Sequence, residues 1–150
     1  AKMNPPLRDE KDRQAIIEAL KDGTIDAIIT DHAPHSEEEK ERELSKAPNG
    51  IIGFETALPA INTYLIDKNL LTEMDMVKLT SYNPAKLLNL DKGEIKEGKI
   101  ADLTIYDPEE SYIYTKDMIV SKSKNTPFIG KKLKGKVKYT IVNGNIVYKD

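Results

Sequence analysis

The 150 residues carry 23 Lys+Arg against 25 Asp+Glu, 39% apolar side chains, and neither Cys nor Trp, the make-up of an ordinary soluble globular chain. Without Cys there are no disulfides, thiolate metal sites or thiol nucleophiles, and no run approaches the roughly 18 apolar residues of a membrane span. The N-terminus lacks the basic-then-apolar pattern of a signal peptide, so a cytoplasmic protein is expected.

The near-neutral total conceals a division. Residues 1–110 hold 14 basic and 23 acidic side chains, whereas 111–150 hold 9 basic and 2 acidic. The opening AKMNPPLR is extended, because Pro5 and Pro6 lack backbone donors and push their predecessors away from helical angles. A helix is predicted next, with Asp9 as N-cap, Ala15, Ile16, Ala19 and Leu20 as its apolar face, and Gly23 as its stop. Ile25 to Thr30 reads as a short buried strand, one αβ step of a parallel sheet. After DHAPH comes SEEEKERELSK, where Ser36 and Glu39 match a capping box but only Leu44 is a large apolar residue, so a mobile solvated excursion is expected.

Gly50 and Gly53 then lie in a loop, and Phe54, Leu58, Ile61 and Leu65 share one helical face. Thr72 and Asp75 cap a second helix bearing Met76 and Leu79, and Asn83-Pro84 opens a third with Leu87 and Leu88. From Gly93 the pattern turns to β: strands at Leu103 to Tyr106 and Tyr112 to Tyr114, then Val137 to Val142 and Ile146 to Tyr148 joined by Asn143-Gly144. That dipeptide suits a type I′ hairpin turn, where both central residues need positive φ. The expected division is 1–92 and 93–150.

The densest chemical group is Thr30-Asp31-His32-Ala33-Pro34-His35, at the C-terminal end of the predicted strand, where parallel α/β proteins gather their ligand-binding loops. A carboxylate there can ligate a metal and carry a proton to a leaving group, and an imidazole can ligate, donate or exchange protons. By residue type alone, Asp31 capping a turn and two surface histidines is the simpler reading. The double proline stiffens Lys2 to Arg8 and sets the direction of Asn4, whose amide suits a carboxylate or imide edge; a plain helix lead-in is the alternative. Around Asn49-Gly50, glycine lets backbone approach a planar amide closely, or simply makes a turn. Lys122 to Lys138 contains seven Lys and no acid, but alternate Lys at 132, 134, 136 and 138 fits a solvent-facing or edge strand. With Phe128 its only aromatic, the stretch lacks the features of a nucleic-acid surface, and no nucleic-acid partner is expected.

Together, KMNPPLR, ITDHAPH, GIIGFETALP, GEIKEGKIADLTIYD and TPFIGKKLKGKVKYTIVNGNIVY, in this order, resemble the bacterial metal-dependent dihydroorotases of the amidohydrolase superfamily. The resemblance implies an α/β fold: the C-terminal portion of a β/α barrel (last strand and helices, 1–92) plus part of a small β-sandwich (93–150). It implies the reversible zinc-dependent cyclisation of N-carbamoyl-L-aspartate to dihydroorotate in pyrimidine biosynthesis. Asp31 then corresponds to the carboxylate that ligates zinc and shuttles the proton. Asn4, His35, Asn49 and Gly50 correspond to substrate-binding positions, although relatives commonly carry Phe where Asn49 stands. His32 is given no role beyond supporting Asp31.

The remaining metal histidines, the bridging ligand and the substrate-gripping Arg of that family have no counterpart here, since His32 and His35 are the only histidines. A closed eight-stranded barrel also needs roughly 200 residues or more. The chain is therefore expected to be part of such an enzyme and inactive by itself, with zinc bound only in the full-length protein, which would be a homodimer. An exposed barrel end should make the isolated chain aggregate, dimerise or adopt a rearranged packing. The alternative implied by the resemblance is a non-catalytic subunit or scaffold assembling with aspartate transcarbamoylase.

Overall fold

A computed structural model describes residues 2–150. Helix α1 (Glu10–Lys21) starts as its sequence directs, the Asp9 carboxylate accepting from the Asp12 N–H at 3.0 Å, and stops before Gly23 at φ 82°. Its buried face differs from the expected one: Ile17 is buried and Ile16 is exposed. Helix α2 (Glu37–Lys40) is a single turn closed by the Ser36–Glu39 capping box, so the acidic excursion has local order. Lys40 Nζ ties it down, donating to the carbonyls of Pro48 and Gly50 at 3.0 and 3.1 Å.

The expected strand at Ile25 to Thr30 is not formed. The segment has no regular secondary structure, Ile29 is 80% exposed and no strand pairs with it among the described residues. Strand geometry requires a partner ladder, and the apolar run has none here. It rests instead on the following helices, through Ile28 N–H to the Leu79 carbonyl and Asn83 Nδ2 to the Asp26 carbonyl, both 2.9 Å.

Helix α3 (Ala57–Ile61) continues through a π turn at Asn62–Ile66, with Phe54 lying before it rather than on its face. The second and third expected helices are one continuous stretch: α4 (Glu73–Val77), a π turn (Lys78–Tyr82) and α5 (Asn83–Leu87). Asn83 is thus inside the helix rather than its cap. In the widened turn the Asn83 N–H donates to the Lys78 carbonyl, five residues back, and the Leu79 carbonyl that it would meet in an α-helix accepts from the Ile28 N–H instead.

One antiparallel sheet, ordered β1-β2-β3, is built from β1 (Leu103–Ile113), β2 (Lys132–Val142) and β3 (Asn145–Lys149). The two strands expected within β1 are halves of one, separated by a bulge between Asp107 and Ser111. Asn143 and Gly144 close the β2–β3 hairpin at φ 51° and 76°, as the dipeptide requires. The lysine-alternating strand is central rather than at an edge. Its side chains are answered by carboxylates: Lys134 by Asp67 and Glu109, and Lys136 and Lys138 by Glu110 and Asp150, at 2.6–3.3 Å.

The helices dock on this sheet where β2 carries no side chain. At Gly135, φ 98°, an added Cβ would lie 3.0–3.1 Å from the Asn62 side chain. Buried Asn62 donates to the Pro108 carbonyl in the β1 bulge at 2.9 Å, and Thr63 Oγ1 accepts from the Lys134 N–H at 2.8 Å. The main apolar cluster, Ile52, Tyr114, Ile119 and Leu133, joins the central loop to the sheet and so draws on both sides of the expected division at residue 93.

Candidate functional site

Four stretches distant in sequence are laced together by backbone bonds. Ala33 N–H donates to the Ile51 carbonyl at 2.9 Å, Gly50 N–H to the Lys2 carbonyl at 2.8 Å, and Ile52 N–H to the Asn125 carbonyl at 3.1 Å. The KMNPPLR, DHAPH and NGIIG segments therefore meet. The Asn4-Pro5 peptide is cis, and Asn4 is exposed.

Asp31 adopts φ 44°, unusual for a residue with a side chain, and its side chain is exposed. His32 is held firmly. Its Nδ1 accepts from the Gly53 and Phe54 N–H groups at 3.1 and 3.3 Å, and its ring stacks on Phe54 at 3.9 Å with an 8° interplanar angle. An accepting Nδ1 places the proton of the neutral ring on Nε2. Asp31 is thus followed in the chain by a side chain pinned to the neighbouring loop.

His35 turns the other way. Its Nε2 lies 2.9 Å from the Asn49 carbonyl and donates to it, while Nδ1 is 3.8 Å from Glu39 Oε2. Bonding from the Ser36 N–H and hydroxyl, with a smaller effect from His35, holds the Glu39 carboxyl below its ordinary range. Gly50, φ 107°, is packed so closely on Ala33 that an added Cβ would fall 2.5 Å from the Ala33 Cβ. Its N–H is taken by Lys2, and its carbonyl by Lys40 and Asn125. The backbone groups expected to be free for a ligand at Gly50 are therefore engaged within the chain; among the described residues, those of Asn49 are engaged only through the carbonyl that His35 reaches.

Sequence reasoning missed Asn125 altogether. Its Nδ2 donates to the carbonyls of Ala33 (2.9 Å) and Gly50 (3.2 Å), and its Oδ1 accepts from the His35 N–H (3.4 Å). The only local signal is an Asn before the Thr126-Pro127 turn, which says nothing about partners 75 to 92 residues away.

Among the described residues no group of three His, Cys, Asp or Glu side chains could hold a metal ion. Asp31 fits one corner of such a site and not a whole one, since firm zinc binding takes about three protein ligands. Two open clefts of 610 and 620 Å³ lie elsewhere, and neither is lined by Asp31, His35 or Asn49.

A carboxylate on a left-handed turn, an imidazole anchored next to it in the chain and a glycine loop packed on Thr30, His32 and Ala33 bring polar groups from distant loops together on a scaffold of helices and one sheet. The chain belongs to the amidohydrolase family, whose model matches residues 4–147. It is 55% identical over 150 residues to the dihydroorotase of Clostridium acetobutylicum and 58% identical over 148 residues to that of Clostridioides difficile. It covers 100% and 99% of itself in these matches but only 35% of either relative, so it spans about a third of their length. Among solved structures, L-hydantoinase (dihydropyrimidinase) from Arthrobacter aurescens superposes with a TM-score of 0.92 at 33% identity, over 99% of this chain and 34% of that one. D-hydantoinase (dihydropyrimidinase) from a Thermus species does so with a TM-score of 0.91 at 30% identity, with the same coverages. No helix is long and apolar enough to cross a membrane among the described residues.

Proposed function

We propose that the chain is part of a dihydroorotase, the enzyme that interconverts N-carbamoyl-L-aspartate and dihydroorotate in pyrimidine biosynthesis. The observation that carries this is the docking of the loop that bears Asp31 and His35 on the Asn49-Gly50 loop, in a chain more than half identical to dihydroorotases over its whole length. Residues 1–92 would form the end of the β/α barrel and 93–150 part of the β-sandwich. Exposed Ile29, Leu88 and Val120 are consistent with surfaces that other parts of a longer protein cover.

Zinc, held by Asp31 together with ligands outside this chain, would act as the Lewis acid on the ring carbonyl. The Asp31 carboxylate carries the proton to the departing ring nitrogen in hydrolysis and removes it in cyclisation. Its exposure leaves it open to both metal and substrate. Asn4 offers an amide that both donates and accepts, matched to the carboxylate or imide edge. His35 and Asn49 are bonded to each other and so meet the substrate as a unit, with Gly50 shaping the wall beside them. A small-molecule substrate, a cytoplasmic homodimer and, in some settings, association with aspartate transcarbamoylase belong to the same proposal.

The test is turnover of dihydroorotate by the full-length, zinc-loaded protein, with Asp31→Asn alongside. Wild-type turnover with loss of both activity and bound zinc in Asp31→Asn is the expected result. A zinc-replete wild type that converts neither compound would overturn the assignment.

A further inference from the structure

We propose that Asn125 is a positioning residue for substrate: its amide locks the loop bearing His35 to the loop bearing Asn49 and Gly50, and thereby sets the spacing of the substrate-facing groups without touching the metal. This rests on the proposed function for the identity of the substrate. The geometry is that of a clamp. Both Nδ2 protons are used, on Ala33 at 2.9 Å and Gly50 at 3.2 Å, and Oδ1 receives the His35 N–H at 3.4 Å. One planar group thus contacts both loops with its donors and its acceptor together, which also leaves only one orientation of the amide.

The residue's own backbone is fastened as well. The Asn125 carbonyl accepts from buried Ile52, a member of the main apolar cluster with Tyr114, Ile119 and Leu133. Any shift of the sheet-side loop is therefore passed to the DHAPH turn and the Asn49-Gly50 loop together. Asp31 lies outside this clamp, and its neighbour His32 is anchored separately on Gly53 and Phe54. Two supports acting on two halves of the site predict separable effects.

In the full-length protein, Asn125→Ala removes the clamp, and Asn125→Asp keeps its shape while setting a carboxylate against two carbonyl oxygens. Misplacement of binding groups by about 1 Å can cost about 100-fold, so a rise in KM for dihydroorotate of about 10- to 100-fold is expected, with Asp worse than Ala. Bound zinc should remain at the wild-type level and kcat should change by less than about 3-fold, since the group made only for chemistry is untouched. Hydrogen exchange at the amides of Ala33, His35, Gly50 and Ile52 should quicken in both variants. Asn125→Ser, which retains a short hydroxyl, serves if either fails to fold and should fall between wild type and Ala.

Unchanged KM, or a loss of zinc and kcat matching Asp31→Asn, would overturn the proposal, and so would faster exchange with unchanged KM. If the wild type itself turns over neither compound, the dihydroorotase assignment fails first; wild-type exchange in the variants would then refute the clamp as well, and faster exchange confined to the two loops would uphold it.

Discussion

Replacing Gly50 by Ala is the sharpest test of how the site is built, because two independent penalties fall on one methyl group. The first is conformational: φ 107° lies where a side chain is strained, at about 1–3 kcal/mol. The second is steric, because the new Cβ would sit 2.5 Å from the Ala33 Cβ, and relief by movement is opposed by the bonds that fasten Gly50 to Lys2, Lys40 and Asn125. Overpacking of this kind costs about 1–3 kcal/mol, so the total is about 2–6 kcal/mol. The two parts can be separated. Ala33→Gly opens the space without altering the φ of residue 50, so the double variant Gly50→Ala with Ala33→Gly should recover the steric part alone, about half the loss. Denaturant unfolding of the protein containing this chain, wild type against the single and double variants, measures this directly. A Gly50→Ala variant within about 0.5 kcal/mol of wild type would refute the close approach. A double variant no better than the single would refute the identity of the opposing atom.

His32 should show a different pattern. His32→Phe retains a ring to stack on Phe54 but leaves the Gly53 and Phe54 N–H groups without an acceptor, and should lose about 1–3 kcal/mol; His32→Asn, which can still accept, should lose less. Equal losses in melting experiments would assign the anchoring to packing alone. Tyr114 is 2% exposed and its hydroxyl has no hydrogen-bond partner among the described residues; its pKa is pushed up to about 12, first by burial and then by the Glu55 carboxylate. A raised folded-state pKa means that its contribution is intact below pH about 10 and lost as pH rises towards 12. Tyr114→Phe should therefore flatten the alkaline decline between pH 10 and 12, followed by ultraviolet titration, and should cost no stability at neutral pH. An unaltered alkaline profile would show that the phenol is not buried as described.

What could be read in advance divides along the range of the interactions. The Asn143-Gly144 hairpin, the Asp9 cap and the boxes at Ser36–Glu39 and Thr72–Asp75 were legible because a few adjacent residues contain all the partners. The meeting of DHAPH with the Asn49-Gly50 loop was legible only through resemblance, since periodicity carries no information about which loops converge. The errors have a common physical source. Alternate lysines suggested a solvent-facing or an edge strand; the row is half-exposed but central, because Asp67, Glu109, Glu110 and Asp150 come from other segments to pair with it. Capping signals at Asn83-Pro84 suggested a new helix, yet a π turn absorbed the proline and kept one helix running.

The run from Ile25 to Thr30 is the most informative disagreement. Its composition demands burial on both faces, as parallel strands between two neighbours have, but here it has one helix beneath it and Ile29 open to solvent. Local chemistry therefore specifies an environment that the described residues do not supply. Asp31 shows the same mismatch in another form: a carboxylate held on a strained backbone, exposed, beside a firmly anchored His32, and alone where a metal would need about three ligands. The apolar run and the carboxylate are consecutive in the chain, so what would cover the one stands next to what would complete the other. Hydrogen exchange in a longer protein carrying this segment would read both together: protection should rise across 25–30 on folding, and zinc should slow exchange further at residues 31–35. Protection that stays low across 25–30 in a zinc-bound protein would show that strand pairing and metal binding are independent.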